Sequence, residues 1–401
     1  MEQPRLGTER INSIDLIRGI AICGLAPINI LDFASPDDYY LTPGDLRGSD
    51  LGLWVAVFIF GMGKFISLFS VLFGAGIVLQ TQRSDLAGKD TARRYLPRLA
   101  WLFLFGMLHA YLIWYGDILV GYAITGFLVF WFRKWSAGRL LTVGGLIYVG
   151  YSLLLIAAIT CLAIFVESDE FWNLLSESGA GDGEEWDPTD PTGTWLQQLP
   201  GRSLIALCVQ IIAIPFLIIP INGGLMLIGM AALKSGFFEG SWKPSRYRLT
   251  LFLGLGLGLC LSAIGLILTA MGGWEFRTFT LHSGWLMAAT PLLVCGYAAA
   301  AVLWSRASIL GWLQNGFRAL GRMAFTNYIG QSVIFHLLFY GTGFGLRGQL
   351  SFTMVMLVPL AVWVFQIIAS TLWFRVFRFG PLEWIWRCLT YRTWLPIRIL
   401  P

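Results

Sequence analysis

One of the three histidines in the sequence stands close to a carboxylate across a predicted tight turn. His109 precedes the turn Trp114-Tyr115-Gly116-Asp117, so Asp117 can reach back to its imidazole. An imidazole oriented by a carboxylate is the pairing that a general base needs to take a proton from a hydroxyl or an amine. A buried histidine that only donates to a backbone carbonyl is the alternative. His109 and Asp117 are therefore the candidate catalytic pair.

Polar and ionisable side chains also line one face of the first long apolar segment. That face is formed, at three- and four-residue steps, by Asp15, Arg18, Ile22, Leu25, Asn29 and Asp32. Arg18 and Asn29 are separated by about three turns of helix, or roughly 16 Å. Arg18, Asn29 and Asp32 are predicted to bind substrate at opposite mouths of one groove. An Asp15–Arg18 pair that merely anchors the helix end explains the same pattern.

Further polar groups fall inside later apolar segments, where an ionisable side chain is costly. Lys64 lies in the second segment and needs a partner, either an acidic side chain of another helix or a bound anion. Asn327 and Gln331 share one face of the ninth segment, and His336 lies on another. This pattern indicates either a polar lining or interhelical hydrogen bonds. All four are candidate substrate-binding residues.

Composition shows which elements must position these groups. Of the 401 residues 56% are hydrophobic and 13% charged, and the mean hydropathy is +0.68, which excludes ordinary soluble domains. The basic residues behind the net charge of +5 occur in short clusters between apolar runs, which argues against a nucleic-acid partner. The cysteines lack CxxC or Cys/His spacing, so no metal site is predicted. We predict one membrane domain over residues 1–401.

The predicted fold class is all-α, a polytopic transmembrane bundle of about ten spanning helices. The spans cover roughly 15–34, 51–80, 94–114, 117–132, 139–166, 203–233, 247–271, 281–304, 319–341 and 352–375. Pro215 and Pro220 predict a kink or break in the sixth span. Arginine and lysine clusters alternate with loops that hold only Arg47, Arg202, Arg277 and Arg347, so both ends are predicted to be cytoplasmic. All three histidines then fall in the outer halves of their helices.

Two polar segments lie outside the predicted spans. Residues 167–202 form an acidic extracytoplasmic loop that acts as a lid or a tether. Residues 376–401 form a cytoplasmic tail, in which Trp384, Trp386 and Trp394 interleave with arginines as in a segment at the headgroup level.

Several segments resemble the YeiB family of bacterial membrane proteins, a group defined as a domain of unknown function. The resemblance is carried by Arg10-Ile11-Asn12-Ser13-Ile14-Asp15-Leu16-Ile17-Arg18-Gly19, by Lys64-Phe65 to Phe73-Gly74, by Leu108-His109-Ala110 to Leu119, by Gly321-Arg322-Met323-Ala324-Phe325-Thr326-Asn327-Tyr328, and by Phe377-Arg378-Phe379-Gly380-Pro381 to Tyr391. It covers nearly the whole chain, and the acidic loop is its least typical part.

The first-helix pattern is in turn similar to that of the wider transmembrane acyltransferase superfamily. This similarity implies transfer of an acyl group from a cytoplasmic CoA thioester to an acceptor on the far side. Many bacterial members place a histidine where this chain has Asn29, and asparagine cannot act as a base. His109 with Asp117 is our substitute.

The leading hypothesis is therefore an acyltransferase-like protein of the bacterial inner membrane, in which Arg18 and other inner arginines attract the diphosphate of an acyl-CoA. No permanently bound cofactor is expected. The expected partners are membrane lipids, acyl-CoA, a small-molecule or glycan acceptor, and a second copy packed through small-residue faces. The alternative is a transporter or lipid-binding protein, in which Lys64, Asn327 and Gln331 line a cavity and nothing is chemically changed.

Overall fold

The computed structural model describes residues 11–35, 43–165, 192–307 and 309–399, and these residues confirm the all-α prediction. Within those ranges the only β-pairing is an isolated bridge between Phe377 and Arg398. The α-helices are α1 Asn12–Ala34, α2 Gly48–Gly61, α3 Lys64–Leu86, α4 Thr91–Leu112, α5 Leu119–Val129, α6 Ala137–Phe165, α7 Trp195–Cys208, α8 Ile219–Lys234, α9 Pro244–Met271, α10 Phe276–Arg306, α11 Gly311–Arg322, α12 Ala324–Phe339, α13 Phe352–Trp373 and α14 Pro381–Tyr391.

Seven helical segments of the described chain are long and apolar enough to cross a membrane, as expected of a multi-pass protein. They are α1, α2 with α3, α6, α7 with α8, α9, α10 and α13. The other predicted spans correspond to α4, which begins with arginines, to α5, which has 11 residues, and to α12, which has 16. The total number of spans and their orientation remain predictions.

The second predicted span is not one continuous helix. It breaks between α2 and α3 at Met62 and Gly63, where Gly63 adopts a φ of +73°. A break inside a membrane leaves backbone carbonyls without partners unless side chains supply donors. The Tyr297 hydroxyl donates to the Phe60 carbonyl at 2.9 Å, and the Lys64 ammonium adds a second donor, at 3.3 Å, to the Phe58 carbonyl that already accepts from the Met62 N–H. Apolar residues continue across the break, so hydropathy alone did not predict it.

The sixth predicted span shows the expected irregularity. A π-helical stretch, Val209–Ile218, joins α7 to α8 and contains Pro215. The predicted loop 167–202 was wrong at its end, because α7 already begins at Trp195, where Thr194 and Gln197 form a capping box. Residues 166–191 lie outside the described residues.

Two further predictions near the C-terminal side need correction. The ninth predicted span began too early, because Met323 separates the amphipathic α11 from α12. Within the predicted interfacial tail, Trp386 is 8% exposed and lies 3.5 Å from the Arg98 guanidinium, whereas Trp394 is 81% exposed. The tail is therefore partly packed onto the helical bundle.

Glycines set the closest helix crossings in the bundle. A Cβ on Gly19 of α1 would lie 2.0 Å from the carbonyl oxygen of Phe317 in α11, and one on Gly321 would lie 2.0 Å from that of Asp15. Such contact requires that both helices lack side chains there, as small-residue packing in membranes does. This crossing fixes α1 against the segment that leads into α12.

Candidate functional site

His109, near the C-terminal end of α4, and Asp117, just before α5, form a buried hydrogen-bonded pair. The His109 Nδ1 lies 2.8 Å from the Asp117 Oδ1, and the His109 residue is 1% exposed. An ionised carboxylate only accepts, so Nδ1 carries a hydrogen, and in the neutral form of the ring Nε2 keeps its lone pair. Among the described residues, nothing hydrogen-bonds to that buried Nε2. The pair thus presents an oriented and unused basic nitrogen.

The local chain explains this geometry. The second oxygen of Asp117, Oδ2, accepts from the backbone N–H of Val120 at 2.7 Å, which caps the start of α5. A Cβ on Gly106 would lie 2.6 Å from the Val120 nitrogen and 2.9 Å from Asp117 Oδ2. Glycine at position 106 therefore lets the two helices of the hairpin approach closely enough for the carboxylate to reach the imidazole.

The polar face of α1 and the histidine face of α4 meet in one packed region. Ile22 and Leu25 of α1 pack in the same buried cluster as Leu102 of α4, Leu119 of α5 and Tyr328 of α12. Tyr328 also contacts the His109 ring, with centroids 5.1 Å apart. On α4 the helical steps from Arg98 through Leu102 to His109 follow the steps from Arg18 through Ile22 to Asn29 on α1. Each face carries arginine at one end and a polar site residue at the other.

The opposite end of these two faces, near the start of α1 and α4, gathers arginines. Arg18 pairs with Asp15 at 3.0 Å, as the anchoring interpretation required, and both it and Arg387 of α14 lie within electrostatic range of Arg98. Arg98 itself stacks on Trp386 rather than pairing with a carboxylate among the described residues. A guanidinium held on an aromatic face keeps its N–H donors available for a carboxylate or phosphate.

Asp32 anchors the C-terminal end of α1, while Asn29 is half-buried one turn before it. The Asp32 carboxylate accepts from the Trp114 indole at 2.5 Å and from the Tyr115 hydroxyl at 2.6 Å. Burial, with the nearby Asp32 charge, raises the pKa of Tyr115 well above its usual value, so the phenol stays a donor. Arg347 donates to the Asp32 backbone carbonyl at 3.2 Å. These contacts fix the turn that carries Asp117.

Three other predicted binding residues are engaged by the protein itself. Lys64 is fully buried, and its ammonium donates to the Phe58 carbonyl rather than to a carboxylate. Asn327 donates to the Leu320 carbonyl and to Ser370, and Gln331 donates to the Ile22 carbonyl and to Gln366. These are interhelical hydrogen bonds, one of the two outcomes the sequence left open. Their role in binding remains a prediction.

His336 of α12 lies, like His109 of α4, where α4 and α12 meet, and we call this contact the seam. His336 is about two turns C-terminal to Tyr328, which contacts the His109 ring. Both ring nitrogens are buried, and neither has a hydrogen-bond partner among the described residues, although the Ile113 backbone is close. Sequence reasoning missed its neighbours Arg202 of α7, which is 4% exposed, and Tyr340, whose ring centroid lies 4.6 Å from that of His336. The available signal was that Arg202 is one of few arginines in the predicted outer loops.

Comparisons with known proteins place the chain among bacterial relatives along its full length. A family model described as "Protein of unknown function (DUF418)" matches residues 232–393. The chain is 32% identical to the uncharacterised protein YxaH of Bacillus subtilis (strain 168), over 98% of both chains. It is 31% identical to the uncharacterised protein YeiB of Escherichia coli (strain K12), over 96% of this chain and 97% of that one.

Proposed function

The chain belongs to the YeiB family of DUF418 proteins, and on that premise we propose that it transfers an acyl group from a cytoplasmic CoA thioester to an extracytoplasmic hydroxyl or amine. Both relatives are described as uncharacterised, so the proposal depends on the site. One observation carries it: the unpartnered, buried His109 Nε2, held in its basic tautomer by Asp117.

In the proposed reaction the acceptor oxygen or nitrogen attacks the thioester carbonyl carbon. His109 Nε2 removes the acceptor proton as the new bond forms, and the carbon–sulfur bond breaks as the tetrahedral intermediate collapses. The same proton passes from the imidazolium to the departing CoA sulfur. The products are the acylated acceptor and free CoA thiol, and Asp117 stabilises the imidazolium between the two proton transfers without becoming protonated.

The inner arginines support the donor side of this proposal. Arg18, Arg98 and Arg387 gather at the opposite end of the faces that carry Asn29 and His109. Arginine suits a diphosphate because its planar N–H groups match phosphate oxygens. Arg98 and His109 are separated by about three turns, or roughly 16 Å, so the thioester has to reach along the groove from a diphosphate bound at the inner end.

The transport alternative has weaker support. It requires Lys64, Asn327 and Gln331 to line a cavity, whereas their donors are committed to backbone and side-chain acceptors of neighbouring helices. A ligand at these groups would have to displace hydrogen bonds that join helices.

The test uses the full-length protein in phosphatidylcholine nanodiscs. Calorimetry with CoA measures donor binding, and radiolabelled acetyl-CoA with an extract of bacterial envelope small molecules and glycans measures transfer. Wild-type protein is expected to bind CoA and to label an acceptor. His109→Ala is expected to bind CoA but to transfer the acyl group at least about 10²-fold more slowly. Arg98→Gln is expected to bind CoA more weakly.

The matched control is His282→Ala. His282 is a histidine of α10, which packs against α9 away from the seam between α4 and α12. The His282→Ala variant should transfer the acyl group at the wild-type rate. Absence of CoA binding, or full activity in His109→Ala, would refute the proposal.

A further inference from the structure

We infer that the outer end of the seam between α4 and α12 binds an anionic group of the acceptor, a carboxylate or a phosphate, through Arg202 and His336. This inference rests on the proposed transfer reaction and names the class of acceptor. No part of it uses the inner arginines.

The first support is a charge that the described residues leave uncompensated. Arg202 is buried, and its guanidinium donates to the Leu112 carbonyl at 2.7 Å and to Gln198 Oε1 at 3.2 Å. Neither acceptor is a carboxylate. The helix end at Leu112 supplies only a partial negative charge of about half an elementary unit. A buried guanidinium without a full counter-charge is costly unless a ligand provides one.

Among the described residues, Asp32 and Asp117 already have hydrogen-bond partners of their own. The Asp32 carboxylate is held by Trp114 and Tyr115, and Arg347 lies beside it, so these charges compensate each other. Asp117 accepts from His109 Nδ1 and from the Val120 N–H. Among the described residues no carboxylate pairs with Arg202, so a bound anion would supply its counter-charge.

The second support is independent of charge. Both nitrogens of His336 are buried and neither has a well-formed hydrogen bond among the described residues, although the Ile113 backbone is close, and Arg202 lies within electrostatic range of that ring. A buried imidazole that the protein satisfies so poorly is rare unless a ligand or an ordered water completes its hydrogen bonds. An imidazole N–H and a guanidinium together suit the oxygens of one carboxylate or phosphate.

The seam also gives the acceptor a direction. Tyr328 contacts the His109 ring, and His336 lies about two turns farther along α12. Ile113, which directly follows α4 and is close to His336, lies about one turn beyond His109. An acceptor anchored at Arg202 and His336 would thus extend its hydroxyl or amine inward to His109 Nε2. The anionic group and the nucleophile should be several bonds apart.

The test measures thermal protection of the full-length protein by defined probes. In phosphatidylcholine nanodiscs, inorganic phosphate and glycerol 3-phosphate represent soluble anions. In a second arm, phosphatidylglycerol replaces part of the phosphatidylcholine and represents a lipid headgroup. Ligand binding to the native state alone raises the unfolding midpoint. Wild-type protein and His109→Ala should be protected in at least one arm, and that arm identifies the source of the anion.

Arg202→Gln and His336→Phe should lose at least about tenfold in probe affinity, and Arg202→Lys should retain part of it. Arg277→Gln, which removes another arginine predicted on the outer side, is the control and should bind as the wild type does. His336→Phe keeps the inference testable if Arg202→Gln fails to fold, because it leaves the Leu112 contact intact.

Protection in neither arm, or equal protection of the wild type and both Arg202→Gln and His336→Phe, would overturn the inference. Failure of the proposed function has a different signature. In that case CoA thioesters are not consumed, while probe protection still depends on Arg202 and His336. If transfer occurs but its KM for the acceptor is unchanged in Arg202→Gln and His336→Phe, only the present inference fails.

Discussion

Replacing Asp117 by asparagine should remove the basicity of His109 Nε2 while keeping the fold. The Val120 N–H needs an oxygen acceptor, so the amide oxygen takes the place of Oδ2 and caps α5. The amide NH₂ then faces His109 Nδ1, which must become an acceptor. The ring hydrogen moves to Nε2, and the nitrogen aimed at the acceptor can no longer take a proton.

The expected loss of transfer rate follows from the contribution of the general base alone. General-base catalysis contributes about 10²–10⁴-fold, or about 2.7–5.4 kcal/mol of transition-state stabilisation, and Asp117→Asn should lose most of it. Asp117→Ala should lose the same rate and also about 1 kcal/mol of stability, because the Val120 N–H loses its cap. The two variants therefore separate the catalytic effect from the structural effect.

The assay compares labelled acyl transfer and thermal midpoint for wild type, Asp117→Asn and Asp117→Ala. A transfer rate in Asp117→Asn within about twofold of wild type would refute the tautomer argument. A thermal midpoint in Asp117→Asn as low as that in Asp117→Ala would refute the capping argument instead.

Three further predictions concern the fold and its orientation. Gly19→Ala should destabilise the bundle by about 3 kcal/mol in a denaturation assay, since its Cβ meets a backbone oxygen at 2.0 Å, whereas Gly256→Ala meets no atom within 4 Å and should be neutral. Lys64→Met should lower the thermal midpoint, because the Phe58 carbonyl keeps the Met62 N–H but loses a charged hydrogen bond worth about 1.5–3 kcal/mol, and an unchanged midpoint would contradict that role. Phe344→Cys and Trp394→Cys both replace exposed side chains. A membrane-impermeant thiol reagent applied to intact cells should label the cysteine of Phe344→Cys and not that of Trp394→Cys, and the opposite pattern would reverse the predicted orientation.

The fold class and the dyad could be predicted because both depend on local sequence. The hydropathy pattern predicts the helices, and a turn of a few residues brings Asp117 back to His109. The break at Gly63 escaped prediction because the long apolar runs before Gly61 and after Lys64 keep the hydropathy of the whole segment high. Its stabilisation by Tyr297 comes from a distant helix and is invisible in a local pattern.

The outer cationic site could not be predicted because its parts come from distant positions. Arg202 and His336 belong to different helices, and only packing against the end of α4 brings them together. The sequence did contain a partial signal, since arginine is scarce in the predicted outer loops and Arg202 and Arg347 both stand beside the outer end of the seam.

The position of α14 has a consequence for how the protein is made. Glu383 accepts from the Phe325 N–H at 2.8 Å and from the Thr326 hydroxyl at 2.6 Å, and the Trp386 indole donates to the Arg98 carbonyl at 2.9 Å. Because α14 is translated after every helix it touches, a nascent chain at the ribosome has an open inner end until these residues emerge. The arginine-rich end is thus completed late in biosynthesis, and a ribosome stalled before α14 would leave a membrane-inserted chain without it.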